Sequence, residues 1–156
     1  MNPTSPLSLT LIEPMKALRN QEIRPGLLRS MRAGHLPYSP KYIGLLLGTG
    51  QWRLVVGQVE GLYAGFFIFT IVENGDGPPW MELPFGWINN RIAKASGVDL
   101  YVEGLKVIEG MARDLGCSQL VFYGQRRGYP RRVTPLGFKK GIQAYWKPLQ
   151  PPSIPS

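Results

Sequence analysis

The chain has a single cysteine and a single histidine in 156 residues. One thiol cannot form an internal disulfide, so the fold rests on its core alone, as suits a reducing compartment or an assembly not built on disulfides. One imidazole, His35, with no cysteine cluster beside it, makes neither a metal site nor a nucleophilic triad. No apolar run reaches the ~18–20 residues that a membrane span requires. The N-terminus carries Pro3 and Pro6 where a secretory signal would be basic and then apolar. The expected partners therefore do not include a membrane, and secretion through a signal peptide is not expected. Acid is scarce too, with ten Asp and Glu against eighteen Lys and Arg. It is missing altogether from residues 115–156, which hold seven bases: Arg126, Arg127, Arg131, Arg132, Lys139, Lys140 and Lys147. A segment of one sign attracts anions, whether nucleic acid, a phosphorylated cofactor or an acidic protein face. Its plainer role is a solvated surface that keeps the protein soluble.

Glycine and proline are plentiful, at 19 and 15, and imply many turns. Ser8–Glu13 alternates apolar and polar residues and predicts a first strand. Met15–Ala33 reads as two short helical pieces broken at Pro25-Gly26. Ser39 is a candidate N-cap, with Pro40 at the first position of a helix running through Leu47. Trp52–Val59 and Leu62–Glu73 form a hairpin turning at Glu60-Gly61. Asn74–Pro79 reads as a turn and Trp80–Asn89 as a strand. Pro84 and Gly86 inside that strand predict a bulge or an edge, because proline cannot donate to a ladder. After a loop at Asn90–Ser96, Val98–Leu115 predicts an amphipathic helix with Tyr101, Leu105, Ile108, Ala112 and Leu115 on its apolar stripe and Gly116 as its cap. A central strand Gln119–Tyr123, a short helix around Arg131–Leu136, a strand Ile142–Lys147 and a Pro-rich tail follow. The expected layout is α+β, a mixed and mostly antiparallel sheet flanked by helices, with one domain over 1–149 and a tail over 150–156.

Three runs of this sequence are similar to the closing half of the GNAT (Gcn5-related N-acetyltransferase) fold. They are Ala112–Phe122, Leu136-Gly137-Phe138 and Tyr145–Leu149. The Pro84/Gly86 strand resembles the family's bulged fourth strand, which exposes backbone groups to a pantetheine arm. The resemblance implies acetyl-CoA as cofactor, with Lys94 and Gly97 matching the basic residue and first glycine of the pyrophosphate loop. Departures follow residue by residue. Asp99 stands where the loop has glycine or alanine, and its plainer role is an acid in a first helical turn, favourable to the dipole. Val133 stands where a general-acid tyrosine is common, leaving Tyr129 and Tyr123 as the nearest phenols. Glu82 is the best-placed carboxylate for a base, although alternation along Trp80–Leu83 puts it on a solvent face. Cys117 reads as a small buried hydrophobe.

With the cofactor loop eroded, the chain resembles the small GNAT-like virion and head-assembly proteins of tailed bacteriophages. That resemblance implies a non-catalytic, multi-copy structural protein without cofactor, located in a virion or the host cytoplasm. It would dock on other virion or assembly proteins, or on DNA, through Arg126, Arg127, Arg131, Arg132, Lys139 and Lys140. Two alternatives stay open: an acetyl-CoA-dependent N-acyltransferase using Glu82 or Tyr129, and a nucleic-acid-binding module built on the arginine-rich turn.

Overall fold

The computed structural model describes residues 7–33, 39–122 and 133–139. The chain divides into two units, Met1–Gln125 and Arg126–Ser156. In the first unit, β1 (Leu7–Ile12) is followed by three helices, α1 (Pro14–Arg19), α2 (Ile23–Ala33) and α3 (Pro40–Gly48). Three long strands come next: β2 (Arg53–Val59), β3 (Leu62–Asn74) and β4 (Gly77–Ile88). The helices α4 (Asn90–Ser96) and α5 (Leu100–Asp114) then lead to β5 (Leu120–Phe122). The described strands form one sheet in the order β1-β2-β3-β4-β5, antiparallel throughout except for the parallel β4–β5 pair. This is the expected α+β class, with helices on both faces of a mostly antiparallel sheet.

Strand alternation builds the two faces. Leu54 faces Ile68 across β2–β3, and Val56 faces Phe66. These four join Leu27, Ile43 and Phe85 in a core that α1, α2 and α3 cover. Opposite them, Leu7, Val59, Ala64 and Leu100 pack together with Ile88, Ile92 and Val98 under α4 and the start of α5. On α5 the buried residues are Leu100, Leu105, Ile108 and Ala112. The stripe therefore begins at Leu100 rather than Tyr101, and Leu115, past the helix end, is 46% exposed.

Turn chemistry follows the sequence at several points. Glu60 and Gly61 both take positive φ, 51° and 79°, as a two-residue hairpin turn between right-twisted strands requires. Ser39 Oγ accepts from the Tyr42 amide at 3.2 Å and caps α3, with Pro40 at its first position. Gly116 is left-handed, with φ 78°.

The structure departs from expectation in three places. Pro25-Gly26 does not break the helix. The break is at Asn20, whose Oδ1 accepts from the amides of Glu22 and Ile23 and starts α2. Pro25 then falls in the first turn, where its missing N–H has no partner to lose. Gly26 brings the helix against the Trp87 indole, where a Cβ would meet the ring at 3.0 Å. Next, β4 begins at Gly77, inside the stretch that reads as a turn, because a register shift between Val72 and Asn74 absorbs Pro78 and Pro79. The Pro79 carbonyl accepts from the Ser118 amide at 2.8 Å and guides β5 to its place. Residues 90–96 are a helix and not a loop, since Asn89 Oδ1 accepts from the Arg91 amide at 3.1 Å and Gly97 ends the segment in the left-handed region. Among the described residues β5 pairs with β4, and the predicted strand Ile142–Lys147, which would decide whether β5 is central, lies outside them.

In the second unit, Thr134–Leu136 forms a 3-10 turn within the predicted short helix, and Gly137 follows it with φ 91°.

Candidate active site

The site is organised by the middle of β4. Ile68 pairs with Phe85 and Thr70 with Glu82, so three steps along β4 match two along β3. The extra residue falls at Leu83-Pro84, which is the predicted bulge. On the other side of β4, β5 pairs in parallel from Met81↔Leu120 to Leu83↔Phe122. Beyond the bulge, Phe85, Gly86 and Trp87 pair with Ile68, Phe67 and Phe66 of β3. A bulge of this kind leaves ladder groups unpaired, and an extended amide-bearing ligand can add hydrogen bonds to such groups.

Glu82 sits one step before the bulge. Its partner across the sheet is Thr70, so it lies on the face that carries Ile68 and Phe85, and it is half-buried. This corrects the solvent-face expectation. Trp80, two residues earlier and so on the same face, donates its indole Nε1–H to Glu82 Oε1 at 3.1 Å. Thr70 in turn donates its hydroxyl to the Gln51 carbonyl at 3.0 Å. A half-buried carboxylate oriented by an indole can accept a proton from a bound substrate. The Trp-x-Glu spacing on a strand was the available signal for this pair.

The phosphate-loop positions come out differently. Lys94 is exposed in the last turn of α4, and Gly97 is the left-handed residue that ends it, with φ 68°. Asp99 is the N-cap of α5, and its Oδ1 accepts from the Val102 amide at 3.3 Å. Glu103 adds a second acid to the same first turn, with Lys106 Nζ 3.9 Å away. The helix end that would hold a diphosphate is thus capped by the chain's own carboxylate. An acid at this helix start is favourable to the helix dipole, as the sequence suggests.

Other candidates are quickly placed. Lys139 is described and exposed. Tyr123, Tyr129, Arg126, Arg127, Arg131, Arg132, Lys140 and His35 lie outside the described residues. Val133 precedes the 3-10 turn and brings no hydroxyl. Cys117 is half-buried rather than buried, and burial, with Glu73 nearby, pushes its thiol pKa up, away from nucleophilic use. Among the described residues no group of His, Cys, Asp or Glu could hold a metal ion, and no helix is long and apolar enough to cross a membrane. Tyr63 was not anticipated. Its ring stacks on Trp87, with centroids 5.8 Å apart, and its hydroxyl is buried without a hydrogen-bond partner among the described residues.

No protein-family model matches the sequence, and no curated protein matches it. Solved structures do match. An aminoglycoside acetyltransferase from an uncultured soil metagenomic sample superposes with a TM-score of 0.65 at 8% identity, covering 92% of this chain and 97% of its own. A putative acetyl transferase from Pyrococcus furiosus gives 0.64 at 14% identity, covering 92% and 99%. A ribosomal-protein-alanine N-acetyltransferase from Brucella melitensis biovar Abortus 2308 gives 0.63 at 18% identity, covering 92% and 99%.

The chain has the GNAT fold. The likeness runs over nearly the whole length of these neighbours, although at such identities it speaks for the fold alone. It also overturns the expectation of a non-catalytic virion or head-assembly protein. The neighbours bear acetyltransferase names and nothing in them points to a virion, so they favour the acyltransferase alternative. The physical reason the sequence misled is that the eroded positions, Asp99 and Val133, belong to phosphate binding and one proton-donor position. Neither is part of the β4 bulge or of Glu82.

Proposed function

We propose that this chain is an N-acyltransferase that moves an acyl group from a pantetheine thioester to an amine. The observation that carries this reading is the bulge at Leu83-Pro84, immediately after Glu82 on β4. The chemistry asks two things of the chain. The donor arm needs hydrogen-bond partners, which the ladder groups left unpaired by the bulge supply. The attacking amine must lose a proton, which Glu82 accepts while Trp80 holds it in place. The neighbours' names suggest two amine classes to try, an aminoglycoside and a peptide with N-terminal alanine.

The test is calorimetric titration of the full chain with acetyl-pantetheine and with acetyl-CoA, followed by a thiol-release assay with both amines. Binding of acetyl-pantetheine in the micromolar to millimolar range supports the reading. No heat from either thioester at millimolar concentration overturns it. Glu82→Gln is expected to leave thioester binding unchanged and to slow amine-dependent thiol release by about 10²–10⁴-fold.

A further inference from the structure

Three strands away from the β4 site, β1 carries a feature that the reaction does not use. We propose that the outer side of β1 is an interface for a second copy of this chain, paired strand to strand about a two-fold axis at Leu9. This goes beyond the acyltransferase reading and does not depend on it.

Three observations lead there. Among the described residues β1 pairs with β2 alone, in unbroken register from Leu7↔Val59 to Ile12↔Leu54. Edge strands are usually guarded against strand addition by proline, by charge or by a bulge. The run Leu-Ser-Leu-Thr-Leu-Ile has none of the three. Two copies therefore bring no like charges together along this seam. The second observation is the pattern of the strand. When it meets its own copy antiparallel about Leu9, Leu9 faces Leu9, Ser8 faces Thr10 and Leu7 faces Leu11. Leucine meets leucine on one face and hydroxyl meets hydroxyl on the other, both favourable cross-strand pairs. The third observation is Leu11. It follows Leu7 and Leu9 along one face of the strand, and those two pack with Val59, Ala64 and Leu100. Leu11 itself is 60% exposed. In the pair it lies against the partner's Leu7, so the apolar row of one copy continues into the core of the other.

The size of the seam sets its strength. The 6 residues of β1 span about 20 Å. One strand wide, such a seam buries well under the ~1,200–2,000 Å² in total that stable interfaces bury. The dimer is therefore weak and forms at high protein concentration. It joins two sheets into one continuous sheet across the axis.

Sedimentation equilibrium of the full chain from about 5 to about 500 µM is expected to show reversible growth from the 17.4 kDa monomer toward a dimer. The seam holds no charge, so dimerisation is expected to persist at about 0.5 M salt. Leu11→Lys puts a charge on the strand at a position that is already exposed. It is expected to weaken dimerisation at least about tenfold and to leave the urea midpoint unchanged. Cross-linking reads the register, with Cys117→Ser as the background. A Ser8→Cys chain mixed with a Thr10→Cys chain is expected to form an interchain disulfide faster than either chain alone, because directly opposite residues lie closer than diagonal ones. A chain that stays monomeric at about 500 µM overturns the proposal. So does a dimer that dissociates at about 0.5 M salt, that Leu11→Lys leaves intact, or that shows no preference for the mixed cysteine pair. Should Leu11→Lys lower the urea midpoint, the cysteine pair decides alone.

Discussion

At the scale of single residues, function turns on an interaction the composition does not advertise. Glu82 is oriented by the Trp80 indole at 3.1 Å. Trp80→Phe keeps the ring and removes the donor. Turnover is expected to fall about tenfold with the thioester KM unchanged, measured as amine-dependent thiol release. Tyr63 shows the opposite situation, a hydroxyl buried without a partner among the described residues. Tyr63→Phe removes a polar group that gains nothing from burial there. It is expected to be neutral or stabilising by up to about 1 kcal/mol in urea unfolding. Cys117, its thiol pKa raised by burial and by Glu73, should alkylate at pH 8 more slowly than a free thiol, as mass spectrometry over time will show.

At the scale of elements, close approach and cap chemistry decide what pattern could not. Gly65 has φ 150°, and a Cβ there would collide with the Trp87 carbonyl oxygen. Gly65→Ala is therefore expected to cost about 2–3 kcal/mol or more in chemical denaturation and to disturb Trp87 on the site's strand. Ser39→Ala removes the cap of α3 and should cost about 1 kcal/mol by the same measurement. Elements with their own local signal were legible: the Glu60-Gly61 hairpin, the Ser39-Pro40 helix start, the Pro84 bulge and the Gly116 cap. Others were not, for identifiable reasons. Pro25-Gly26 looks like a breaker, but in a first turn proline loses no hydrogen bond, and Gly26 is selected by the nearby indole. Residues 90–96 lack a long apolar period, so the short α4 depends on the Asn89 and Gly97 caps at its ends.

At the scale of the whole molecule, pH is the simplest probe of the shared core. Burial raises the Tyr63 phenol above its ordinary 10.0, with Glu22 adding to the effect. Below pH 10 the phenol is neutral whether the chain is folded or not, and stability does not depend on it. As pH climbs past 10, the unfolded chain ionises this group while the folded chain resists, so stability falls with rising pH. Denaturation midpoints between pH 8 and pH 11.5 should show this decline, and Tyr63→Phe should make it shallower.

The sequence by itself determined the α+β class, most strand and helix identities, the bulge in β4 and the charge imbalance, because each is written in local period, turn residues or counts. It also placed Glu82 and Asp99 in their elements. The role of Asp99 was legible as well, since its cap bond to the Val102 amide spans three residues. Only the tertiary structure decided the face of Glu82. The register of β3 against β4 puts it opposite Thr70, on the face that carries Ile68 and Phe85. That outcome depends on pairing between segments and on a bulge within one of them, and no local pattern encodes it.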